Sequence, residues 1–326
     1  MTGNIKYNEY QGRMIMARLT SLLLGSALLF SLQGCATVAD GTATGMTAAT
    51  TSAATLERVE TTGPALWKIA DADTTIYMFG TVHILPKDKQ WMTLAVQQAL
   101  SGSQSMVTEI LSSEMTDPAM QQKMMARGML PAGQTLRSLL NAEQRATYEG
   151  ALQKLGVPAA AFDQFKPWMA AMTLSILPLM KEGYNPEAGV EKVLKTAAGN
   201  QIKREALETV DYQIGVFDSM PQDAQIAYLI ETAEQAENIK PMIDKMVAAW
   251  LVGNKDELAS IMNEGLDDNA ALADRLLYAR NRNWAQWIDQ RLDQPGTVFM
   301  AVGAGHLAGD KSVQEYLLEQ NIVAAR

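Results

Sequence analysis

Two stretches near opposite ends of the chain share one pattern. Thr74-Thr75-Ile76-Tyr77-Met78-Phe79 runs into Gly80-Thr81-Val82-His83, and Gly296-Thr297-Val298-Phe299-Met300-Ala301-Val302 runs into Gly303-Ala304-Gly305-His306. A short run of β-branched and aromatic residues that breaks at glycine predicts a strand. Helical periodicity follows each, over 93–100 and 312–320, and residues 106–111 predict a further strand with Glu109 inside it. Between about 113 and 290 helical periodicity dominates, with turn breaks at Gly133, Gly156, Pro167, Gly183, Gly199, Pro221, Pro241 and Gly253. The expected architecture is therefore mixed α/β (α+β). A central sheet is built from the N- and C-terminal segments and interrupted by a large helical insertion. Residues 167–180 are its most apolar piece, shorter than the roughly 20 residues a membrane span needs, and read as a buried helix.

The first 62 residues follow neither pattern. Arg13 and Arg18 precede an apolar run over 22–30 and then Leu32-Gln33-Gly34-Cys35. That order is the pattern of a cleaved export signal, and Leu-x-Gly-Cys resembles the lipobox of bacterial lipoproteins. The resemblance implies that Cys35 is lipidated and begins the mature chain, with residues 1–35 as signal peptide. Ala36 after the cysteine implies an outer-membrane anchor in the cell envelope. Residues 36–55 hold seven Ala and seven Thr, too little apolar bulk to order themselves, so 36–62 reads as a tether and 63–326 as the folded domain. Cys35 is the only cysteine, which leaves the domain without an internal disulfide and leaves thiol catalysis out. Losing Lys6, Arg13, Arg18 and Glu9 takes the formal charge from −9 to −11, a surface that repels nucleic acid.

The chain has two histidines, and both stand three residues after a glycine at the end of an expected strand. Functional groups collect where strands end, because the turn is exposed while its strand is held. Neutral imidazole is the commonest ligand for transition metals, and glycine permits close approach of backbone or ligand. His83 and His306 with Glu109 would make a two-His, one-carboxylate set for a divalent ion with open positions for water. The structural alternative for either histidine is a hydrogen bond that ties its turn.

Gly80-Thr81-Val82-His83, Glu109, Leu207-Glu208-Thr209, Arg280-Asn281 with Trp284, and Gly303-Ala304-Gly305-His306-Leu307 together resemble the TraB/GumN family, which includes the Tiki metalloproteases. The resemblance runs from about 64 to 323. It implies an EreA/ChaN-like α/β fold in which the turns that begin at Gly80 and Gly303 meet, and its Tiki branch implies metal-dependent peptide hydrolysis with manganese or cobalt. Two positions depart from the family's usual residues: Ala279 where an acid often precedes Arg-Asn, and Glu191, after Gly189-Val190, where aspartate is usual.

For a hydrolytic site the expected roles follow from chemistry. His83, His306 and Glu109 would hold the ion (Mn, Co or Zn), which lowers the pKa of bound water. Glu208 would be general base or a further ligand, and Arg280 with Asn281 would steady an oxyanion or a substrate carboxylate. The plainer alternative has Arg280 pairing with a core carboxylate and Glu208 solvated on a helix. The relaxed dinucleotide fingerprint at Gly303-x-Gly305-x-x-Ala308 is set aside, because 18 residues after it leave no room for the rest of the unit. The methionine cluster at 115, 120, 124, 125 and 129 reads as packing, with an adaptable groove for a peptide as the alternative. The leading expectation is a peptidase-like metal-dependent hydrolase acting on a peptide or protein. A lipoprotein carrying haem through both histidines, or a non-catalytic assembly factor, are the competitors.

Overall fold

The computed structural model describes residues 63–263 and 273–326. The signal, Cys35 and the tether lie outside the described residues. Among those described, no helix is long and apolar enough to cross a membrane.

A five-stranded sheet runs through the domain in the order β1 (Leu66–Ala70), β2 (Thr74–Thr81), β7 (Gly296–Gly303), β4 (Ser105–Thr108), β6 (Lys203–Ala206). β1 is antiparallel to β2, and the other four strands run parallel. The two pattern-sharing stretches are thus neighbours. β2 and β7 pair residue for residue from Thr74 against Gly296 to Thr81 against Gly303, so both Gly-x-x-His turns leave the same edge at the same level. A two-stranded ribbon of β3 (Leu85–Pro86) and β5 (Tyr184–Asn185) lies beyond it.

Alternate residues of the central strands feed two cores. Val298, Met300 and Val302 join Ile76, Met78 and Val107 on one face, under Trp284, Ala285 and Ile288 of α11 (Ala279–Leu292) and Val313 and Leu317 of α12 (Val313–Glu319). Phe299 and Ala301 join Phe79 and Met106 on the other, under the insertion. A parallel sheet covered on both faces explains why β2 and β7 are nearly continuous apolar runs. The twelve α-helices among the described residues also include α1 (Leu94–Ser101), whose N-cap Thr93 accepts from the Val96 amide at 3.3 Å, and which carries the chain from β2 to β4.

The insertion is built on α5 (Pro167–Lys181), where Trp168, Met169, Ala170, Ala171, Met172 and Leu174 are all buried. It packs against α8 (Gln222–Glu234) and meets the sheet through an aromatic cluster of Phe79, Trp91, Trp250 and Phe299, with centroids 5.7 to 6.2 Å apart. Trp250, on α9 (Ile239–Leu251), donates its indole N–H to the carbonyl of Gly80 at 2.8 Å. Met124 of the methionine cluster is buried in this core, while Met125 is exposed.

Two expectations need adjusting. The helix-dominated stretch 113–290 also supplies β6, an edge strand of the sheet. Its Lys203-Arg204-Glu205-Ala206 has no β-branched or aromatic residue and is a charged edge of the kind that blocks further pairing. Glu109 also stands one residue past β4 rather than inside it.

Candidate functional site

Four parallel strands end together, and each hands its next residues to one cluster. Val82-His83 follows β2, Ala304-Gly305-His306 follows β7, Glu109 follows β4 and Leu207-Glu208 follows β6. The backbone keeps the last two in step: the Leu207 amide donates to the Thr108 carbonyl at 2.9 Å and the Glu208 amide to the Glu109 carbonyl at 2.8 Å. The two histidine turns touch. A Cβ added at Gly80 would lie 3.0 Å from the Ala304 Cα, so the close approach that glycine allows here is that of the other turn. Gly303 serves its neighbour too, its amide donating to Glu109 Oε1 at 2.8 Å.

Arg280, from the face covered by α11, occupies the centre. It follows a π-helical turn, Asp274–Tyr278, a distortion frequent at functional sites. Its Nε donates to Glu208 Oε1 at 2.7 Å, and its Nη2 donates to Glu109 Oε2 at 2.5 Å and Glu208 Oε2 at 2.9 Å. Its Nη1 donates to the Leu276 carbonyl at 3.1 Å and lies 3.1 Å from His306 Nε2. A guanidinium has five N–H groups, and all five are accounted for within this network. Gln213 bridges both carboxylates, its Nε2 lying 2.9 Å from Glu109 Oε2 and from Glu208 Oε2, and the Trp284 indole N–H donates to Glu208 Oε1 at 3.0 Å. Arg280 and Glu109 are each 3% exposed, so water does little to compensate their charges. Burial pushes the Glu109 carboxyl up, Arg280 pulls it back only in part, and Glu208 pushes it up again. Two carboxylates sharing one guanidinium carry a net negative charge, and a raised pKa is its expected response.

The two histidines have different partners. Asn281 donates its amide N–H to the Lys311 carbonyl at 2.8 Å, which turns its Oδ1 toward His306 Nδ1 at 2.5 Å. An amide oxygen accepts only, so Nδ1 carries the proton and Nε2 presents its lone pair to Arg280. Burial, then the charge on Arg280, hold the His306 pKa well below its usual value, so this ring stays neutral. Its face packs on Trp284, with ring centroids 4.2 Å apart. His83 Nδ1 instead lies 2.6 Å from Glu191 Oε1, a carboxylate that also accepts from the Thr81 hydroxyl. Burial pushes Glu191 up, but the charge on His83 and the hydrogen bonds from His83 and Thr81 outweigh it and hold the carboxyl low. A charge on His83 lowers both the Glu109 and the His306 pKa.

All six residues expected at the site come together here. Arg280 pairs with core carboxylates, and Glu208 is buried among Arg280, Trp284 and Gln213 rather than solvated. Arg280 and Asn281 are engaged in orienting Glu109, Glu208 and His306. No role was assigned from sequence to Thr81, Gln213 or Glu191, although Glu191 stood out as a glutamate where the family usually has aspartate. Gly189 seats it against the first turn: the Val190 amide donates to the Val82 carbonyl at 2.9 Å, and a Cβ at Gly189 would lie 2.2 Å from the His83 carbonyl oxygen.

The donor set as placed does not fit a divalent ion held jointly by His83, His306 and Glu109. Glu109 Oε1 and His306 Nε2 are 3.9 Å apart, but Arg280 is directed at both residues, and His83 is turned to Glu191. Among the described residues no group of three or more His, Cys, Asp or Glu is disposed to hold a metal. Haem fits no better, since both ring nitrogens of His306 are engaged. Beside the turns a narrow crevice is lined by Trp67, Gly80, Trp250, Lys255, Ala304 and Leu307.

A family profile described as TraB/PrgY/gumN matches residues 65–326, which span every element of the site. The chain is 24% identical over 261 residues to the uncharacterized protein YbaP of Escherichia coli (strain K12), covering 78% of this chain and 92% of that protein. The YbaP of Shigella flexneri matches to the same extent. No solved structure matches. With the paired Gly-x-x-His turns, the acids past β4 and β6 and the Arg-Asn pair all inside one match that covers most of its length, this chain belongs to the TraB/PrgY/gumN family.

Proposed function

We propose that this chain is a lipid-anchored envelope hydrolase, peptidase-like, in which His83 is the general base. The observation that carries this reading is the unequal pairing of two adjoining imidazoles: His83 on a carboxylate, His306 on an amide and a guanidinium. Environments that separate two titratable groups assign them different duties. His83 can take a proton from water because Glu191, held anionic, stabilises the imidazolium that forms. The water oxygen bonds to the scissile carbonyl carbon, and the proton returns from His83 to the leaving nitrogen as the C–N bond breaks. His306, kept neutral, and Arg280 are positioning residues that fix the charge around Glu109.

His83 and His306 are 5% and 2% exposed, so substrate reaches them only when their cover opens. The same burial favours a second reading, a non-catalytic assembly role in which the cluster only holds the turns together. A mixed peptide library incubated with the purified chain and read by mass spectrometry separates the two. Hydrolysis predicts defined cleavage, lost in His83→Gln and reduced roughly 100-fold to 10,000-fold in Glu191→Gln. No cleavage by the wild type, or cleavage unchanged in His83→Gln, refutes the hydrolase. The lipid anchor predicts labelling by a palmitate analogue that disappears in Cys35→Ser.

A further inference from the structure

We propose that Arg280 is the resident cation of this site, standing where a divalent ion would otherwise sit, so that the site is built to work without metal. Its three partners are the kind a divalent ion takes: carboxylate oxygens of Glu109 and Glu208 and an imidazole nitrogen of His306. Each is directed at the guanidinium, and the carboxylates have little left to offer. Both oxygens of Glu208 accept two N–H groups, from Arg280 and Trp284 on one and from Arg280 and Gln213 on the other. Glu109 Oε2 accepts from Arg280 and Gln213, and its Oε1 accepts from the Gly303 amide. The lone pair of His306 Nε2 meets Arg280, because Asn281 fixes the proton on Nδ1.

The arrangement is complete on the other side as well. Arg280 is 3% exposed, lies 5.0 Å from the Trp284 ring centroid, and has every N–H placed. Displacing it would strand a buried guanidinium without its two carboxylates. A metal beside it would set two positive groups together where water screens little. His83 has its own carboxylate in Glu191.

The inference deepens the hydrolase reading but is tested through metal content, so the two fail separately. Protein purified without chelator is expected to carry fewer than about 0.1 equivalents of Mn, Co or Zn by elemental analysis, and a melting temperature unmoved by chelator or by added ions. Arg280→Met bares Glu109, Glu208 and His306 to one another and is expected to gain about one divalent ion per chain, read by competition with a chelating dye and lost again in Arg280→Met with Glu109→Gln. If Arg280→Met does not fold, Arg280→Gln serves in its place, and Arg280→Lys is expected to fold and stay metal-free. Wild-type protein holding about one equivalent that disappears in His83→Ala or His306→Ala overturns the inference. So does a folded Arg280→Met that takes up no ion. A metal-free wild type that cleaves no peptide leaves it standing and sinks the hydrolase instead.

Discussion

Removing the guanidinium of Arg280 is the sharpest test of how the site is held together. In Arg280→Met the two carboxylates of Glu109 and Glu208, 3% and 7% exposed, lose the charge between them and three N–H bonds. Breaking a buried ion pair from one side costs about 3–5 kcal/mol, because the stranded charge has neither partner nor water. At about 2–4 °C per kcal/mol for a domain of this size, the melting temperature falls by roughly 6–20 °C. The loss is expected to depend on pH. Burial already raises the Glu109 carboxyl, and without Arg280 the guanidinium that pulls it back is gone. A carboxyl whose folded pKa lies above its unfolded value contributes stability below the unfolded pKa and loses it as pH rises through the folded one. The variant should therefore recover toward acid pH by up to about 1.4 kcal/mol per pH unit relative to wild type. Adding Glu109→Gln should restore much of the stability at neutral pH, since a neutral side chain takes the stranded charge's place. Urea unfolding at pH 5.5 and 7.5 of wild type, single and double variants measures all three effects. A loss under about 1 kcal/mol, a loss independent of pH, or a double variant no better than the single would refute the account.

Two further outcomes follow from the same geometry. His306 is held neutral when folded and takes up a proton when unfolded, so its contribution is present above about pH 6.5 and falls by about 1.4 kcal/mol per unit as pH drops below that. His306→Gln should flatten the acid limb of the stability profile by that slope, and parallel limbs would count against a buried neutral ring. Gly189→Ala should cost about 1–3 kcal/mol by driving a methyl group into the His83 carbonyl, whereas Gly150→Ala, where an added Cβ meets nothing within 4 Å, should gain about 0.4–1 kcal/mol in equilibrium unfolding.

The parts of this fold that showed in the sequence are those whose local chemistry and burial agree. β2 and β7 are apolar on both faces, so their composition alone marks them, and Thr93 caps α1 one residue before its start. β6 escaped notice because Lys203-Arg204-Glu205-Ala206 is an edge whose backbone, not its side chains, makes it a strand. Which residues gather past the strand ends was also legible, through two rare histidines in matched turns. Their partners were not. Glu109 meets Arg280 across 171 positions and Thr81 meets Glu191 across 110, and such pairings are set by strand order, which no local pattern encodes. The expectation of a joint metal site rested on residue type. Residue type did not reveal that one arginine would lie among the same donors.

The middle strand of the sheet is also the last strand along the chain. Until residues 296–303 have left the ribosome, β2 and β4 have no common neighbour, and one of the two histidines does not yet exist. Synthesis from the N-terminus therefore yields a nascent chain whose insertion helices can begin to pack while the sheet stays split. The domain closes late and all at once, and a product truncated before β7 should be recognised by proteases as unfinished rather than survive as a weakened form.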